Sequence, residues 1–266
     1  MPLRLIDTHC QIQFRQYDVD RDDVIAQAQR SNIGMIIVGC DYESSAAAIQ
    51  CAESIGAHTW AAVGQHPNDS REVFEYEKFF QLGASSFKVV AIGETGLDWY
   101  RLPEGIDIQQ EKTRQQELFE RHIALSKALS KPLIIHSRNT HTEIIEILSS
   151  SFGEWKEGDS ERGVLHCFTG TLEQAEVYLK LGFLISFTGI ITFASQYDEI
   201  VKNLPLEKLL VETDAPYLTP VPFRGKRNVP MYVEFVVDKV ASLRGVSSEE
   251  VARQTTENAK RLFRLE

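Results

Sequence analysis

Short apolar runs recur along the chain, and longer segments with helical spacing separate them. Each run is three to six residues long and lacks polar alternation, which is typical of strands buried on both faces. There are eight runs, at residues 3–6, 35–38, 60–63, 89–92, 133–135, 163–165, 182–187 and 209–211. Helical spacing is found at residues 21–30, 44–55, 109–129, 142–148, 172–181 and 198–204, and again at 233–243 and 247–263.

This alternation of strands and helices predicts an α/β protein, and eight units predict a (β/α)8 TIM barrel forming a single domain over residues 1–266. The two longest connections follow the third and fourth strands. A doubly wound open sheet is the competing architecture, but it usually has a glycine-rich phosphate loop after its first strand. This chain has the polar sequence Asp7-Thr8-His9-Cys10-Gln11 at that position. The barrel is therefore preferred.

The fourth apolar run leads directly to an acidic side chain, Glu94, which stands between Gly93 and Gly96. The two glycines predict that the strand ends there. A carboxylate at the end of a buried strand is destabilising unless it is paired, and a cation is a suitable partner. Glu94 is therefore the central candidate for the chemistry of this protein.

Other side chains that can bind metals follow the remaining apolar runs. In a barrel, the residues after each strand gather at the carboxy-terminal face, where barrel enzymes carry their active sites. The residues at these positions are Asp7, His9, His66, Glu94, His136, His166 and Asp214. Because uncompensated buried charges would destabilise the barrel, their joint spacing predicts a metal site. The chain has three further histidines, and we predict surface positions for His58, His122 and His141.

The charge balance limits how a polyanion could bind. The chain has 28 basic and 38 acidic residues, and a formal net charge of -10 argues against nucleic-acid binding by bulk attraction. A phosphate would have to meet local groups. The candidates are His66 and Arg138 at strand ends, and Arg224, Lys226 and Arg227 on the loop after the last strand. The alternative interpretation is that Arg224, Lys226 and Arg227 belong to a solvated loop that binds no phosphate.

The four cysteines form no C-x-x-C pair and are too few to cross-link a chain of 266 residues, so we expect a reducing compartment. The amino terminus has no signal-peptide pattern, and no apolar run approaches the ~18 residues of a membrane span. We therefore expect a cytoplasmic protein that does not bind membranes. The oligomeric state is left open, with a monomer favoured.

Short motifs stand at the strand ends and on the loop after the last strand. They are Asp7-Thr8-His9-Cys10, Gly64-Gln65-His66-Pro67, Ile92-Gly93-Glu94-Thr95-Gly96-Leu97-Asp98, His136-Ser137-Arg138, Leu165-His166-Cys167-Phe168-Thr169-Gly170, Glu212-Thr213-Asp214-Ala215-Pro216-Tyr217 and Arg224-Gly225-Lys226-Arg227-Asn228. Together they resemble the TatD family of metal-dependent nucleases, within the amidohydrolase-like barrels. The resemblance implies that Glu94 bridges two metals, one of them shared with His136 and His166. It implies that the amino-terminal His-x-His pair and Asp214 hold the other.

Gln11 departs from that pattern, because it stands where the family has the second histidine of the pair. Period-two alternation still directs residues 7, 9 and 11 to one side, so the position is right for a ligand. A neutral amide oxygen is a poor ligand for zinc and a tolerable one for magnesium or manganese. The substitution puts the first metal in question.

The ligand set and the resemblance together predict a metal-dependent hydrolase with one or two divalent ions, Mg²⁺, Mn²⁺ or Zn²⁺. The expected activity is that of a deoxyribonuclease with 3′–5′ exonuclease-type hydrolysis of single-stranded or frayed DNA, and RNA is left open as a substrate. Glu94 and Asp214 are the predicted catalytic residues, and Asp214 could bind the first metal or accept a proton from its water. Two alternatives remain. One is an ester or amide hydrolase, for example a deacylase of mis-charged transfer RNA, and the other is a non-catalytic nucleic-acid-binding relative with a weakened metal site.

Overall fold

A computed structural model describes residues 3–100, 102, 105, 107–156 and 158–265. Eight strands form one sheet, in the order of the sequence, and neighbouring strands are parallel. The strands are β1 Leu5–Cys10, β2 Ile33–Val38, β3 Thr59–Val63, β4 Val89–Asp98, β5 Leu133–Arg138, β6 Gly163–Leu165, β7 Phe183–Phe187 and β8 Leu209–Val211. Each of the eight apolar runs overlaps one of these strands, and the predicted (β/α)8 barrel is confirmed.

Helices follow the strands and cover the outside of the sheet. In the described part of the chain they are α1 Arg21–Arg30, α2 Tyr42–Ile55, α3 Tyr76–Ala84, α4 Ile108–Leu129, α5 His141–Phe152, α6 Leu172–Lys180, α7 Asp198–Asn203, α8 Val233–Arg244 and α9 Ser248–Phe263. Polar caps define several of their first turns; for example, Asp41 accepts a hydrogen bond from Ser44 N at the start of α2. None of these helices combines the length and apolar character of a membrane span.

Helix α3 is the helix that the sequence pattern did not predict. It has nine residues, and it buries only Phe79 and Gly83. The segment does carry helical spacing, at Tyr76, Phe79 and Phe80, so the sequence held a signal that the prediction did not use.

Strand β4 is longer than the sequence indicated. The prediction that it ends at the glycines around Glu94 is wrong, because β4 continues to Asp98 and pairs with β5 as far as Arg138. The register of this pairing shifts between Ile92 and Thr95, so Glu94 lies at an irregularity inside the strand. At this point Glu94 N donates to Gly39 O at 3.0 Å, and pairing with β5 resumes at Thr95.

Side chains of alternate strand residues point to opposite faces of the sheet. One set packs against the surrounding helices, and the other, which includes Ile6, Ile36 and Leu184, packs inside the barrel with Phe263 of α9. Helix α9 also bonds to the start of β8, since Asn258 donates to Leu209 O at 2.8 Å. The apolar interior therefore lies toward the amino-terminal ends of the strands, and the polar side chains lie at the opposite end.

The barrel closes between β1 and the segment that follows β8. Gln11 N donates to Ala215 O at 2.8 Å, and Asp214 N donates to His9 O at 2.9 Å. These two bonds bring residues from opposite ends of the sequence together at the carboxy-terminal face. His9 and Asp214 thereby become direct neighbours.

Candidate metal centre

Glu94 lies at the centre of a group of histidines at the carboxy-terminal face of the barrel. Its side chain is 5% exposed, and its Oε1 lies 2.9 Å from His136 Nδ1 and 3.2 Å from His166 Nε2. His66 Nε2 lies 3.6 Å from the same oxygen. We refer to His66, His136 and His166 as the His136 group. These side chains come from the ends of three different strands.

The second oxygen of Glu94 faces a different set of side chains. Its Oε2 lies 3.4 Å from His9 Nε2 and 3.7 Å from Cys40 Sγ. Asp214 Oδ1 lies 3.7 Å from His9 Nε2, and Gln11 Nε2 donates to Cys40 Sγ at 3.0 Å. We refer to His9, Gln11, Cys40 and Asp214 as the His9 group. One carboxylate therefore joins two groups of potential ligands.

His166, a member of the His136 group, also borders the His9 group. Its ring stacks on that of His9, with 4.0 Å between the ring centroids. Ligand atoms of His9, His166 and Asp214 all lie within 4.8 Å of one another, and the same holds for His66, Glu94 and His136. Two sets of three side chains can therefore each converge on one cation.

Unpaired buried polar atoms indicate that these residues fit a metal. The side chain of His9 is fully buried, and within the described residues neither of its ring nitrogens forms a hydrogen bond. Gln11 Oε1 is likewise buried without a donor. Buried polar atoms of this kind are destabilising unless something satisfies them, and a divalent cation binds both imidazole nitrogen and amide oxygen.

Two further carboxylates fix the orientation of the histidine rings. Asp98 Oδ2 lies 3.2 Å from His136 Nε2, and Glu212 Oε1 lies 2.9 Å from His166 Nδ1. Glu212 also accepts a hydrogen bond from Cys167 N at 2.6 Å. A carboxylate that is hydrogen-bonded to one ring nitrogen of a histidine holds the ring in one orientation and makes the other nitrogen a better ligand.

The protonation of Glu94 depends on its histidine neighbours. Burial alone would raise the pKa of Glu94, but the charge of His166 and the hydrogen bond from His136 outweigh burial and hold the pKa well below its usual value. Burial would lower the pKa of His166, yet Glu212 and Glu94 together raise it well above its usual value. Glu94 is therefore ionised, and it requires positive charge next to it.

Two other groups have pKa values that suit ligand and base roles. Burial lowers the pKa of His66 to about 4, so this imidazole is neutral at pH 7 and can offer a lone pair. Burial raises the pKa of Asp214 to about 6, although His166 and His9 oppose this shift. A carboxylate with a raised pKa is a better proton acceptor than an ordinary surface carboxylate.

The site opens into a cavity of about 1070 Å³, which is large enough for several nucleotide-sized groups. Arg138, Tyr100 and Tyr217 line this cavity together with every member of the two groups except His9, which is fully buried. The guanidinium of Arg138 lies 3.9 Å from the ring centroid of Tyr100. The positively charged guanidinium of Arg138 and two exposed tyrosine rings thus lie beside the carboxylates of the site.

Comparison with known protein families identifies the chain. Residues 6–264 match the family described as TatD related DNase. The chain belongs to this family. The match covers the whole barrel, including every residue of both groups of ligands, so the TatD resemblance of the motifs is confirmed.

Similar proteins agree with this assignment. The uncharacterized metal-dependent hydrolase YabD of Bacillus subtilis (strain 168) is 40% identical over 268 residues, which cover 98% of this chain and 99% of that protein. The 3'-5' ssDNA/RNA exonuclease TatD of Pectobacterium parmentieri (strain WPP163) is 31% identical over 262 residues, covering 94% and 95%. The crystal structure of YJJV, a TatD homologue from Escherichia coli K12, matches with a TM-score of 0.88 and 32% identity over 100% of both chains. This chain is a TatD-type metal-dependent hydrolase, an enzyme acting on ester bonds.

The TatD fold brings most of the predicted site residues together. His9, Gln11, Glu94, His136, His166 and Asp214 all lie within or directly beside the two groups defined above. The predicted phosphate ligand His66 stands among the histidines near Glu94 rather than farther out in the cavity. Its neutral ring could bind a metal as well as a phosphate, and its role stays a prediction.

The basic loop after β8 lies away from this cluster. Arg224 donates to Thr219 O at 2.9 Å and packs on Phe193, and neither Arg224 nor Lys226 lines the cavity. Arg227 forms an ion pair with Asp20 at 2.6 Å. Arg224 and Arg227 therefore both have structural partners, and phosphate binding by Arg224 and Lys226 stays a prediction.

Two histidines that were predicted to be surface residues are buried. His122 is fully buried, and its Nε2 accepts a hydrogen bond from Gln65 N at 3.0 Å. His141 is 8% exposed, and its Nδ1 lies 3.1 Å from the Ser137 hydroxyl. Both predictions are wrong because the helices α4 and α5 pack these positions against the loops after the strands. His58 is exposed, as predicted.

Sequence reasoning missed three residues of the site: Cys40, Asp98 and Glu212. Asp98 and Glu212 stand inside the quoted motifs, so their spacing from Glu94 and Asp214 was the available signal. Cys40 follows β2, whose end carries no residue of the predicted ligand set. Only the closed barrel shows that this strand end faces Glu94.

Proposed function

We propose that this chain is a metal-dependent deoxyribonuclease that removes nucleotides from the 3′ end of single-stranded or frayed DNA, with RNA as a second substrate. The relative from Pectobacterium parmentieri that carries the name 3'-5' ssDNA/RNA exonuclease TatD supports this polarity and substrate class. The cavity beside the ligands, with one arginine and two exposed tyrosines, supports a substrate with phosphates and bases.

The observation that carries the proposal is the division of the Glu94 carboxylate between two groups of ligands. Its Oε1 faces the His136 group and its Oε2 faces the His9 group. We propose that each group holds one divalent cation, Mg²⁺, Mn²⁺ or Zn²⁺, with Glu94 between them. Such a pair supplies Lewis-acid activation of water and stabilises charge on the phosphoryl oxygens.

The remaining chemistry belongs to side chains of the chain itself. Asp214 borders the cavity with a side chain that is 16% exposed, and in this proposal it accepts the proton of the attacking water. Arg138 is exposed in the same cavity and binds a phosphate with its guanidinium. Arg224 and Lys226 contact phosphates further along the strand.

The bases of the substrate require a different kind of contact. Tyr100 is 54% exposed and Tyr217 is 49% exposed, and both line the cavity. Aromatic side chains of this exposure offer stacking surfaces that accept any base. We propose that they hold a frayed end by shape and stacking rather than by reading a sequence.

The test uses purified protein freed of metal by a chelator and then given Mg²⁺, Mn²⁺ or Zn²⁺. We expect the protein to shorten a single-stranded oligonucleotide from its 3′ end. Glu94→Gln removes one charge but keeps the shape of the side chain, and it should lower kcat/KM by more than about a hundredfold, because the neutral amide keeps only one oxygen where the carboxylate offers two. Glu249→Gln, the same change on the exposed surface of α9, is the control and should leave activity unchanged.

Two results would overturn the proposal. Full nuclease activity of Glu94→Gln would show that the reaction does not use this site. Turnover of an aminoacyl ester in preference to single-stranded DNA would assign the same metal centre to ester hydrolysis in place of phosphodiester hydrolysis.

A further inference from the structure

Cys40 places a thiol beside the Glu94 carboxylate in the His9 group. It lies two residues after the end of β2, it lines the cavity, and its Sγ is 3.7 Å from Glu94 Oε2. The same oxygen of Glu94 lies 3.4 Å from His9 Nε2. The thiol and the imidazole therefore approach one carboxylate oxygen from two different strands.

A second observation at this position points independently to a cation. Gln11 donates its amide nitrogen to Cys40 Sγ at 3.0 Å, which directs its Oε1 away from the sulfur. Gln11 is 3% exposed, and its Oε1 has no donor among the described residues. An unpaired buried acceptor beside an ionised carboxylate is the environment that a cation, rather than another anion, satisfies.

We propose that Cys40 is a ligand of the cation in the His9 group, where its sulfur takes the place of the imidazole that Gln11 does not supply. This inference rests on the metal centre of the proposed function and adds which metal ion that centre prefers. Cys40 binds as a thiolate, so cation binding releases one proton from the thiol to the solvent in the cavity. Gln11 Nε2 keeps its hydrogen bond to the sulfur and holds it in place.

Sulfur changes which cation this position prefers. Thiolate ligands favour Zn²⁺ and Co²⁺ over Mg²⁺, which prefers oxygen. Without Cys40, the His9 group would bind a cation partly through the amide oxygen of Gln11, and this would be a weak magnesium site. With Cys40 included, the His9 group becomes a mixed nitrogen, oxygen and sulfur site that selects zinc.

The chain contains matched controls. Cys167 also lines the cavity, but its Sγ contacts the Thr188 hydroxyl at 3.5 Å. Cys51 lies in α2 and does not line the cavity. Cys167→Ser therefore tests the other thiol of the cavity, and Cys51→Ser tests the loss of a thiol elsewhere.

The experiment adds Co²⁺ to metal-free protein and records the near-ultraviolet absorption, where a thiolate bound to cobalt gives a charge-transfer band. We expect the band in the wild type, in Cys167→Ser and in Cys51→Ser, and its loss in Cys40→Ser. Calorimetric titration should show that Cys40→Ser weakens Zn²⁺ binding by more than about tenfold while Mg²⁺ binding changes little. Gln11→His in the Cys40→Ser background should restore Zn²⁺ affinity.

Three results would contradict the proposal: a band that persists in Cys40→Ser, a band that is lost only in Cys167→Ser, or no band in the wild type. Circular dichroism of Cys40→Ser confirms that the variant is folded before the cobalt titration. The spectrum does not depend on catalysis, so the two proposals can fail separately. A nuclease without the band would leave the proposed function standing, and a band without nuclease activity would leave the ligand assignment standing.

Discussion

Gln11 combines two opposite features in one side chain. Its amide nitrogen is used in a hydrogen bond to Cys40, while its oxygen is buried and unpaired. An amide oxygen can bind a hard cation, but it donates less electron density than imidazole. In the proposed metal centre, the strength of cation binding in the His9 group therefore depends on this one residue and on its sulfur neighbour.

Replacing Gln11 with histidine should strengthen one cation site and leave the other as it is. Because imidazole is the stronger ligand, we expect Gln11→His to tighten Mn²⁺ binding in the His9 group by roughly tenfold, with no change in the His136 group. Calorimetric titration of metal-free protein resolves the two affinities. Gln13→His, the same change two residues later, should alter neither. Unaltered affinity at both sites in Gln11→His would mean that residue 11 does not contact the metal.

His122 shows how a buried, uncharged histidine links stability to pH. Burial lowers its pKa to about 4 from an ordinary value of 6.5. Below pH 6.5 the unfolded chain binds a proton at this residue that the folded chain does not bind until about pH 4. The contribution of His122 therefore makes the folded state less stable as the pH falls through this window, by about 3 kcal/mol in total.

The variant His122→Gln removes this titration and keeps an acceptor for Gln65 N. We expect the free energy of unfolding of the wild type to fall more steeply than that of the variant between pH 6.5 and pH 4, and to run parallel with it above pH 7. Urea unfolding at a series of pH values, with chelator present, measures both curves. Parallel curves through the whole range would show that His122 is not the titrating group.

At the scale of the elements, the close contact of β4 and β5 sets the position of His136. Gly96 has φ +135°, and a Cβ added there would lie 2.1 Å from His136 O. Gly96 is also paired with His136 in the ladder between the two strands. The absence of a side chain at residue 96 therefore allows the histidine to approach Glu94.

Gly96→Ala should force the two strands apart and move His136. We expect a loss of about 2–4 kcal/mol in the free energy of unfolding, from the overlap together with the unfavourable φ, and weaker metal binding in the His136 group. Gly245→Ala is the matched control, since Gly245 has φ +69° but open space around its Cβ position. It should cost only about 1–2 kcal/mol and leave metal binding unchanged. Equal effects of the two variants would refute the role of the overlap.

At the scale of the whole molecule, the closure of the barrel creates the His9 group. Asp7 is fully buried and accepts hydrogen bonds from Thr213 N at 2.9 Å and from Thr213 Oγ1 at 2.6 Å. It thus joins the first strand to the segment that carries Asp214. The sequence placed Asp7 among the possible ligands, but its oxygens are used in this closure.

Asp7→Ala should loosen the closure. Because buried donors lose their acceptor, we expect the free energy of unfolding to fall by about 3 kcal/mol. Hydrogen exchange at Gln11 N and Asp214 N, which bond across the closure, should accelerate more than exchange elsewhere in the sheet. Asp107→Ala removes a carboxylate that caps α4 and is the control, with a cost of about 1 kcal/mol and no effect on those two amides. A uniform effect of Asp7→Ala on exchange throughout the barrel would contradict this assignment.

The amino-acid sequence by itself determined the barrel and most of the candidate ligand set. Apolar runs of strand length between helical segments specify parallel strands buried on both faces, and polar residues after such runs must meet at one end. The positions of His9, Glu94, His136, His166 and Asp214 followed from this periodicity alone. The interior positions of His122 and His141 did not, since a helix can bury a polar residue wherever a loop supplies its hydrogen bond.

Only the tertiary structure decided how these side chains divide between the two oxygens of Glu94. Periodicity gives the strand on which a residue stands, but not the distance between side chains on strands that are far apart in the sequence. The approach of Cys40 to Glu94, the carboxylates behind His136 and His166, and the use of Asp7 in closure all depend on such distances. These distances are fixed when eight strands close around one core, because closure sets the residue pairing between all neighbouring strands at once.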